Sequence, residues 1–344
     1  MNQLNNVIRK KTCKRLFTTP SHGGKFFITH KFYQFYKSDL SETDAYNPQE
    51  ALNASEMDSA KIYGTKCTKY LTNGSTSGVI ASILACVECG DKVLIWDNAH
   101  PCHKNAIELA GAKPVYYSVP MIEGWGIPQS VTSEILEEGL KSGVKAVIVT
   151  SPNYEGVTSD IGTLVESCHR YGAYLIADEA HGALYPFCDK LPRSAVNIAD
   201  FTVQSLHKTA GGLNPTAVLH TMTDFDISGA LAKFNTTSPS YPLLATIEAN
   251  INFLNSKKGR KKILQLVEWI EKFKSECKNV EFFDGDLTKI VLKKDGLTGY
   301  ELSERLYELG VEDEKANEKS VMLLTGLGTD YKKLEFLFKK LERL

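Results

Sequence analysis

The feature that most constrains the fold is an alternation through the middle of the chain, in which short apolar runs bounded by turn residues are separated by stretches of helical periodicity. Val93 to Trp96, Val115 to Val119, Ala146 to Thr150, Tyr174 to Ala177, Phe201 to Val203 and Ala217 to His220 read as strands. Ser130 to Lys141 and Ile161 to Tyr171 carry the 3.6-residue period of helices between them. Such alternation implies an α/β fold: a mostly parallel sheet covered by helices on both faces. In sheets of this kind a ligand binds outside the carboxyl ends of the strands.

Two polar clusters fall at those ends. Asp178-Glu179-Ala180-His181-Gly182 follows one apolar run and Ser205-Leu206-His207-Lys208-Thr209 follows another, with Lys208 30 residues after Asp178. An acid and a lysine on neighbouring strand ends suit pyridoxal 5'-phosphate. That cofactor needs a lysine amine to condense with its aldehyde, and a carboxylate to keep its ring nitrogen protonated so that the ring can accept electrons. Most of the chain's basic residues are solvated surface charges. Lys208 is set apart by its place after an apolar strand and before Ala210-Gly211-Gly212, where small residues allow close approach of a ligand.

Other candidates gather around this pair. Asn73-Gly74-Ser75-Thr76-Ser77-Gly78 precedes an apolar helical run from Val79 to Val87, and hydroxyls with free amides at a helix start form an anion site, so Ser75 and Thr76 are phosphate candidates. Simple capping of the helix is the plain alternative. Ser205 offers a further phosphate contact. His103, in Pro101-Cys102-His103-Lys104, follows the strand ending at Asp97 and is placed to stack on a cofactor ring; the alternative is a packed or surface histidine. His181 and His207 either satisfy hydrogen bonds or move protons, and His207, beside Lys208, is the acid/base candidate.

Composition removes several function classes. The 344 residues are 42% hydrophobic, enough for a sizeable core, and the formal net charge is −1, which gives no bulk electrostatic case for nucleic acid or an anionic membrane. No run reaches the roughly 18 apolar residues of a spanning helix, and the polar, basic stretch from Asn2 to Arg15 has no apolar leader, so the cytoplasm is expected. Eight cysteines are scattered without a disulfide framework and read as reduced thiols. Cys86-Val87-Glu88-Cys89 lacks the second ligand pair of a metal site, so no metal is expected.

Three segments are expected: an arm or lid over residues 1–60, with aromatic clusters at Phe26-Phe27 and Phe32 to Tyr36 and a turn at Tyr46-Asn47-Pro48; a cofactor-binding large domain over 61–225; and an interdomain helix with a small α+β domain over 226–344. In the last, Leu243 to Leu266 and beyond reads as a long helix, Lys289 to Lys293 and Val321 to Thr325 as strands, and Tyr300 to Leu309 and Leu334 to Leu344 as helices. The basic run Lys257 to Lys262 reads as a solvated helix face, having no interleaved aromatics.

The segments Asp178 to Ala183, Ser205 to Thr209, Thr216 to His220, Thr237-Ser238-Pro239-Ser240-Tyr241 and Gly296 to Leu302 together resemble the bacterial ornithine/lysine/arginine decarboxylases of the aspartate-aminotransferase fold, over about Thr19 to the C-terminus. The resemblance implies a fold type I large domain with a seven-stranded-type sheet. It implies that Lys208 binds the cofactor covalently, Asp178 pairs with the pyridine nitrogen, and Ala180 and His103 lie against the two faces of the ring. Ser75, Thr76, Ser205 and His207 would hold the phosphate or its surroundings, with His181 also in the cofactor shell. It further implies a homodimer with shared sites, the Thr237 to Tyr241 loop reaching across. The family's N-terminal Pro-Gly-His-Lys-Gly-type stretch stands here as Pro20-Ser21-His22-Gly23-Gly24-Lys25, and the chain is shorter than typical members, which carry further C-terminal domains.

The leading expectation is therefore decarboxylation of a basic amino acid to carbon dioxide and a polyamine-type amine. The rivals are transamination or lysis on the same cofactor, and a non-catalytic regulatory relative. Aminotransferases of this fold commonly grip the substrate carboxylate with an arginine of the small domain. From Glu271 onward only Arg305 and Arg343 are present, both on expected surface helices, which favours decarboxylation. Glu155 is a candidate to read a distal substrate charge, with a role in the local turn as the alternative.

Overall fold

The structure, a computed structural model, describes residues 15–17 and 50–344. The aromatic clusters of the expected arm, the Tyr46 to Pro48 turn, Cys13 and the Pro20 to Lys25 stretch lie outside the described residues.

The first half of the chain runs β1 (Arg15–Leu16), α1 (Glu50–Tyr63), β2 (Cys67–Leu71), α2 (Gly74–Cys86), β3 (Lys92–Trp96), α3 (Pro101–Leu109), β4 (Lys113–Tyr117), β5 (Met121–Ile122), β6 (Ile127–Pro128), α4 (Ser133–Lys141), β7 (Ala146–Thr150), α5 (Ile161–Arg170) and β8 (Tyr174–Asp178). There follow β9 (Phe201–Ser205), β10 (Ala217–Thr221), α6 (Ile227–Ala232), α7 (Tyr241–Asn255), α8 (Lys257–Glu276), β11 (Glu281–Phe282), β12 (Lys289–Lys293), α9 (Gly299–Glu308), β13 (Val311–Glu312), β14 (Lys315–Ala316), β15 (Val321–Leu324) and α10 (Tyr331–Leu341).

A seven-stranded sheet has the order β2-β10-β9-β8-β7-β3-β4. It is parallel from β9 to β4, and β10 runs antiparallel to both β9 and β2. The strands are apolar on both faces because both faces are covered. Val93, Ile95, Ala146, Ile148 and Ile176 pack into one core under α2, α3 and α6, while Leu94, Val147, Val149, Leu175 and Ala177 pack into another under α4 and α5.

Helix α2 sits tightly on the sheet, and one glycine sets the distance. A Cβ on Gly78 would lie 2.7 Å from a Val203 methyl and 2.9 Å from Leu71. The helix starts at Gly74, a turn earlier than the apolar run suggests, so Ser75 and Thr76 lie inside its first turn. The Gly74 N–H donates to the Pro215 carbonyl at 2.8 Å, tying the helix start to the entrance of β10.

Strand β2 was hidden by its composition. Cys-Thr-Lys-Tyr-Leu has no apolar run, but Lys69 is buried against Glu56 of α1 at 2.7 Å, so a paired charge takes an interior position. The expected long helix from Leu243 is two helices. Ser256 breaks it by capping α8, accepting the Gly259 N–H at 3.0 Å, and a side chain on Gly259 would collide with the Phe253 carbonyl. Lys257, Lys258, Arg260 and Lys261 are exposed in the first turns of α8, as a solvated face requires.

The C-terminal part forms a four-stranded antiparallel sheet, β11-β12-β15-β14, and β1 pairs in parallel with β13. Polar contacts join this sheet to the rest of the fold: Asn317 donates to the carbonyls of Trp125 and Gly126 in the turn between β5 and β6, and the Leu327 N–H donates to the Thr209 carbonyl at 2.9 Å. The described cysteines carry free thiols, and no described helix is long and apolar enough to cross a membrane.

Candidate functional site

Asp178 is the last residue of β8, in register with Thr150 of β7 and Val203 of β9. Its Oδ1 accepts the Ala180 N–H at 3.2 Å, and its Oδ2 lies 2.8 Å from His103 Nε2. An ionised carboxylate only accepts, so His103 carries a proton on Nε2. Burial opposes ionisation of Asp178, but the hydrogen bond and charge of His103, the charge of Lys208 and the Ala180 amide outweigh it and hold the carboxyl below its ordinary range.

Lys208 belongs to the connection between β9 and β10, residues 206–216, whose ends are tied together. Leu206 N–H donates to Thr216 O and Gly212 N–H to Leu206 O, both at 3.0 Å. Gly212 is needed for that closure, because a Cβ there would lie 2.7 Å from Thr216 Oγ1. Lys208 Nζ is 3.0 Å from His181 Nε2 and 5.8 Å from the centre of the Tyr154 ring. Burial lowers the Lys208 pKa, Asp178 opposes this, and Lys289 adds to it. His181 is lowered much further, by burial and then by Lys208 and Lys289. Its ring is thus neutral and accepts through Nε2 from the lysine.

The structure brings Asp178, Ala180 and His103 into one hydrogen-bonded group and sets His181 against Lys208. Ser205 is fully buried at the end of β9, and its hydroxyl has no hydrogen-bond partner. It is in register with Ala217, which pairs in turn with Leu71, three residues before α2 begins. The first-turn amides of α2, at Ser75 and Thr76, have no acceptor within the helix. His207 commits Nδ1 to the Thr216 carbonyl at 2.9 Å, so only Nε2 remains for proton transfer.

Glu155 is buried in a local turn, where its N–H donates to Asn153 Oδ1 at 3.1 Å, and its Oε1 is bound by Lys315 at 2.7 Å. The carboxylate that acts on Lys208 from the small sheet is Glu314, between β13 and β14. The sequence reading also missed Tyr154, whose ring packs 4.6 Å from that of His181, and the buried Asp286 and Lys289. The available signal was Asp286-Leu287-Thr288-Lys289, an acid and a base three apart at the head of an apolar strand.

Glu179 is enclosed separately. Its Oε1 accepts the Ala195 N–H at 2.7 Å, and its Oε2 accepts from Ser194 Oγ and Gln204 Nε2, both at 2.6 Å. Burial nevertheless pushes its carboxyl up to about 7. Cys102 Sγ, His103 and Asp178 present ligand-type atoms within 4.8 Å of one another. Burial, and then the charge of Asp178, push the Cys102 thiol up to about 12.

Residues 6–295 match the family described as "Orn/Lys/Arg decarboxylase, major domain". The chain is 29% identical over 339 residues to the uncharacterised protein YaaO of Bacillus subtilis (strain 168), covering 91% of this chain and 71% of that protein. It is 25% identical over 325 residues to an arginine decarboxylase of Halalkalibacterium halodurans, covering 88% of this chain and 66% of the relative. Among solved structures it resembles lysine decarboxylase A from Pseudomonas aeruginosa, with a TM-score of 0.80 at 16% identity, covering 99% of this chain and 61% of that one. An aromatic aminotransferase from Pyrococcus horikoshii OT3 has a TM-score of 0.68 at 18% identity, with 99% and 98% covered. The chain therefore spans about two thirds or less of the length of the named decarboxylases it matches here. With a match over residues 6–295, on a sheet whose strand ends carry the Asp178 and Lys208 clusters, the chain belongs to the Orn/Lys/Arg decarboxylase family.

Proposed function

We propose that the protein is a pyridoxal 5'-phosphate-dependent decarboxylase that acts on a basic amino acid, lysine, ornithine or arginine, and releases carbon dioxide and the corresponding amine. The observation that carries this reading is the convergence of Asp178, held ionised, and Lys208, held by a neutral His181, on adjoining strand ends. The residues present fit the cofactor. Ser205 Oγ and the Nδ1 atoms of His103 and His181 are buried polar atoms without partners, and the first turn of α2 offers amides to a phosphate.

When bound, the cofactor supplies an electron sink for the pair of electrons left when the carboxylate departs. In this reading Asp178 would hold a proton on the cofactor's ring nitrogen, His103 and Ala180 would lie against the ring, and Ser75, Thr76, Ser205 and His207 would hold the phosphate. Lys208 would provide the amine that holds the cofactor. Its Nζ, with His181 Nε2 as hydrogen-bond partner, would deliver a proton to the substrate Cα.

Two observations support decarboxylation of a cationic substrate over transamination. Every arginine among residues 50–344, namely Arg170, Arg193, Arg260, Arg305 and Arg343, is exposed, so none of them is buried as a clamp on the substrate carboxylate. Glu314 places negative charge toward Lys208 and Tyr154, where a distal ammonium or guanidinium would be favoured. The Thr237 and Ser238 side chains are exposed ahead of α7, in keeping with a loop that completes a partner's site in a homodimer.

The test is reconstitution with the cofactor followed by a panel of amino acids, with amines and carbon dioxide as the readout. Lys208→Ala should abolish both turnover and the absorbance band of the covalently held cofactor. Glu314→Gln should raise KM for the basic substrate roughly tenfold or more, the weight of one charge-assisted hydrogen bond. Production of keto acid without amine or carbon dioxide would refute the decarboxylase reading.

A further inference from the structure

Lys289 opens β12 with a fully buried side chain, and all three of its N–H bonds are used. Its Nζ donates to Asp286 Oδ2 at 2.7 Å, to Thr288 Oγ1 at 2.8 Å and to the His181 carbonyl at 3.1 Å. Asp286 is equally enclosed: Tyr185 Oη donates to its Oδ2 at 2.7 Å, and the Thr288 N–H to its Oδ1 at 2.8 Å. A buried pair of this kind adds little net stability over apolar residues of similar size, because both charges lose their hydration. Its third bond gives it a different use. It leaves the small sheet and ends on the main chain of the residue whose ring holds Lys208.

We propose that Lys289 is a positioning residue for Lys208: it fixes the main chain of His181, whose ring accepts the Lys208 hydrogen bond, and it sets a second positive charge beside the reacting amine. The inference rests on Lys208 being the amine that takes the cofactor. A lysine serves that chemistry only when its amine is unprotonated, so a neighbouring like charge favours the reactive form. Lys208 is faced by Asp178 from β8, by His181, by Cys102 and His100 from the start of α3, by His207 on its own loop, by Glu314 from the small sheet and by Lys289. Of the groups acting on Lys208 itself, Asp178, Glu314 and Cys102 favour the ammonium, and Lys289 opposes them alongside burial.

The experiment is competitive acetylation of the full chain without cofactor across pH, with modification of Lys208 read by peptide mass spectrometry. It compares wild type with Lys289→Met and Lys289→Gln. Removing the Lys289 charge should raise the Lys208 midpoint by about one pH unit in both variants, so that acetylation below the midpoint slows roughly tenfold. In the cofactor-loaded protein Lys289→Met should lose roughly tenfold or more in kcat with KM little changed, whereas Lys289→Gln, which keeps an N–H for the His181 carbonyl, should lose less. A purely structural role would lower the unfolding temperature and leave the midpoint where it is. A folded Lys289→Gln variant with the wild-type midpoint overturns the proposal. Loss of the parent reading shows separately, as a cofactor absorbance band that persists in Lys208→Ala.

Discussion

Replacing Glu179 by glutamine should make stability less dependent on pH, and in a definite direction. Burial raises this carboxyl from its ordinary 4.5 to about 7 in the folded chain, even though Ala195, Ser194 and Gln204 donate to it. Between those values the folded state binds the proton that the unfolded state has released, so stability falls as pH rises through that window. At about 1.4 kcal/mol per pH unit, the loss comes to about 3 kcal/mol by pH 8, and none of it is present below pH 4.5. Glutamine cannot titrate. Its amide can donate to Gln204, whose Oε1 is buried without a partner, so the variant has a satisfied arrangement available. Urea unfolding of both proteins at several pH values between 4.5 and 8 measures the difference directly. Wild type should weaken relative to Glu179→Gln by about 3 kcal/mol across the range. Parallel stability curves, or a wild type that gains on the variant as pH rises, would refute the reasoning.

Asp178→Asn keeps the shape of the strand end but removes the charge that His103 and Lys208 share, and it should lower kcat by about a hundredfold or more; steady-state kinetics within a few-fold of wild type would contradict the role given to it. Gly78→Ala would gain about 1 kcal/mol at an open helix position. Here its Cβ meets Val203 and Leu71 under 3 Å, so a net loss of roughly 1–3 kcal/mol is expected in thermal unfolding, with weaker cofactor binding as α2 lifts its first turn from Ser205.

The parts of the fold that were legible in the sequence are those whose elements bury apolar side chains alone. Ala146 to Thr150 and Lys289 to Lys293 were read at their observed limits, because each is a short run of strand formers between turns. Strand β2 was not, because its interior position is held by a Lys69–Glu56 pair formed across 13 residues of sequence. The site followed the same rule. Asp178 and Lys208 each stand directly after an apolar run, and position along the chain was enough to place them on strand ends. Lys289 and Glu314 come from segments far away in sequence, and the packing of the small sheet against the large one brings them near Lys208, while Tyr154 reaches it from the loop after β7. The turn role of Glu155 is legible from its neighbours in the chain, whereas its Lys315 partner, 160 residues away, is not.

The connection that carries Lys208 has a mechanical consequence. Two hydrogen bonds from the small sheet reach the large one on either side of this lysine: Leu327 N–H to the carbonyl of Thr209, its neighbour in the chain, and Lys289 Nζ to the carbonyl of His181, its partner in space. Further ties cross the same boundary: Tyr185 Oη to Asp286, Lys315 to Glu155, and Asn317 to the carbonyls of Trp125 and Gly126. A body held at several separated points cannot pivot about any one of them without breaking the others. The amine of Lys208 is thereby referenced to both parts of the chain at once, and its place follows from the fold as a whole rather than from its own loop.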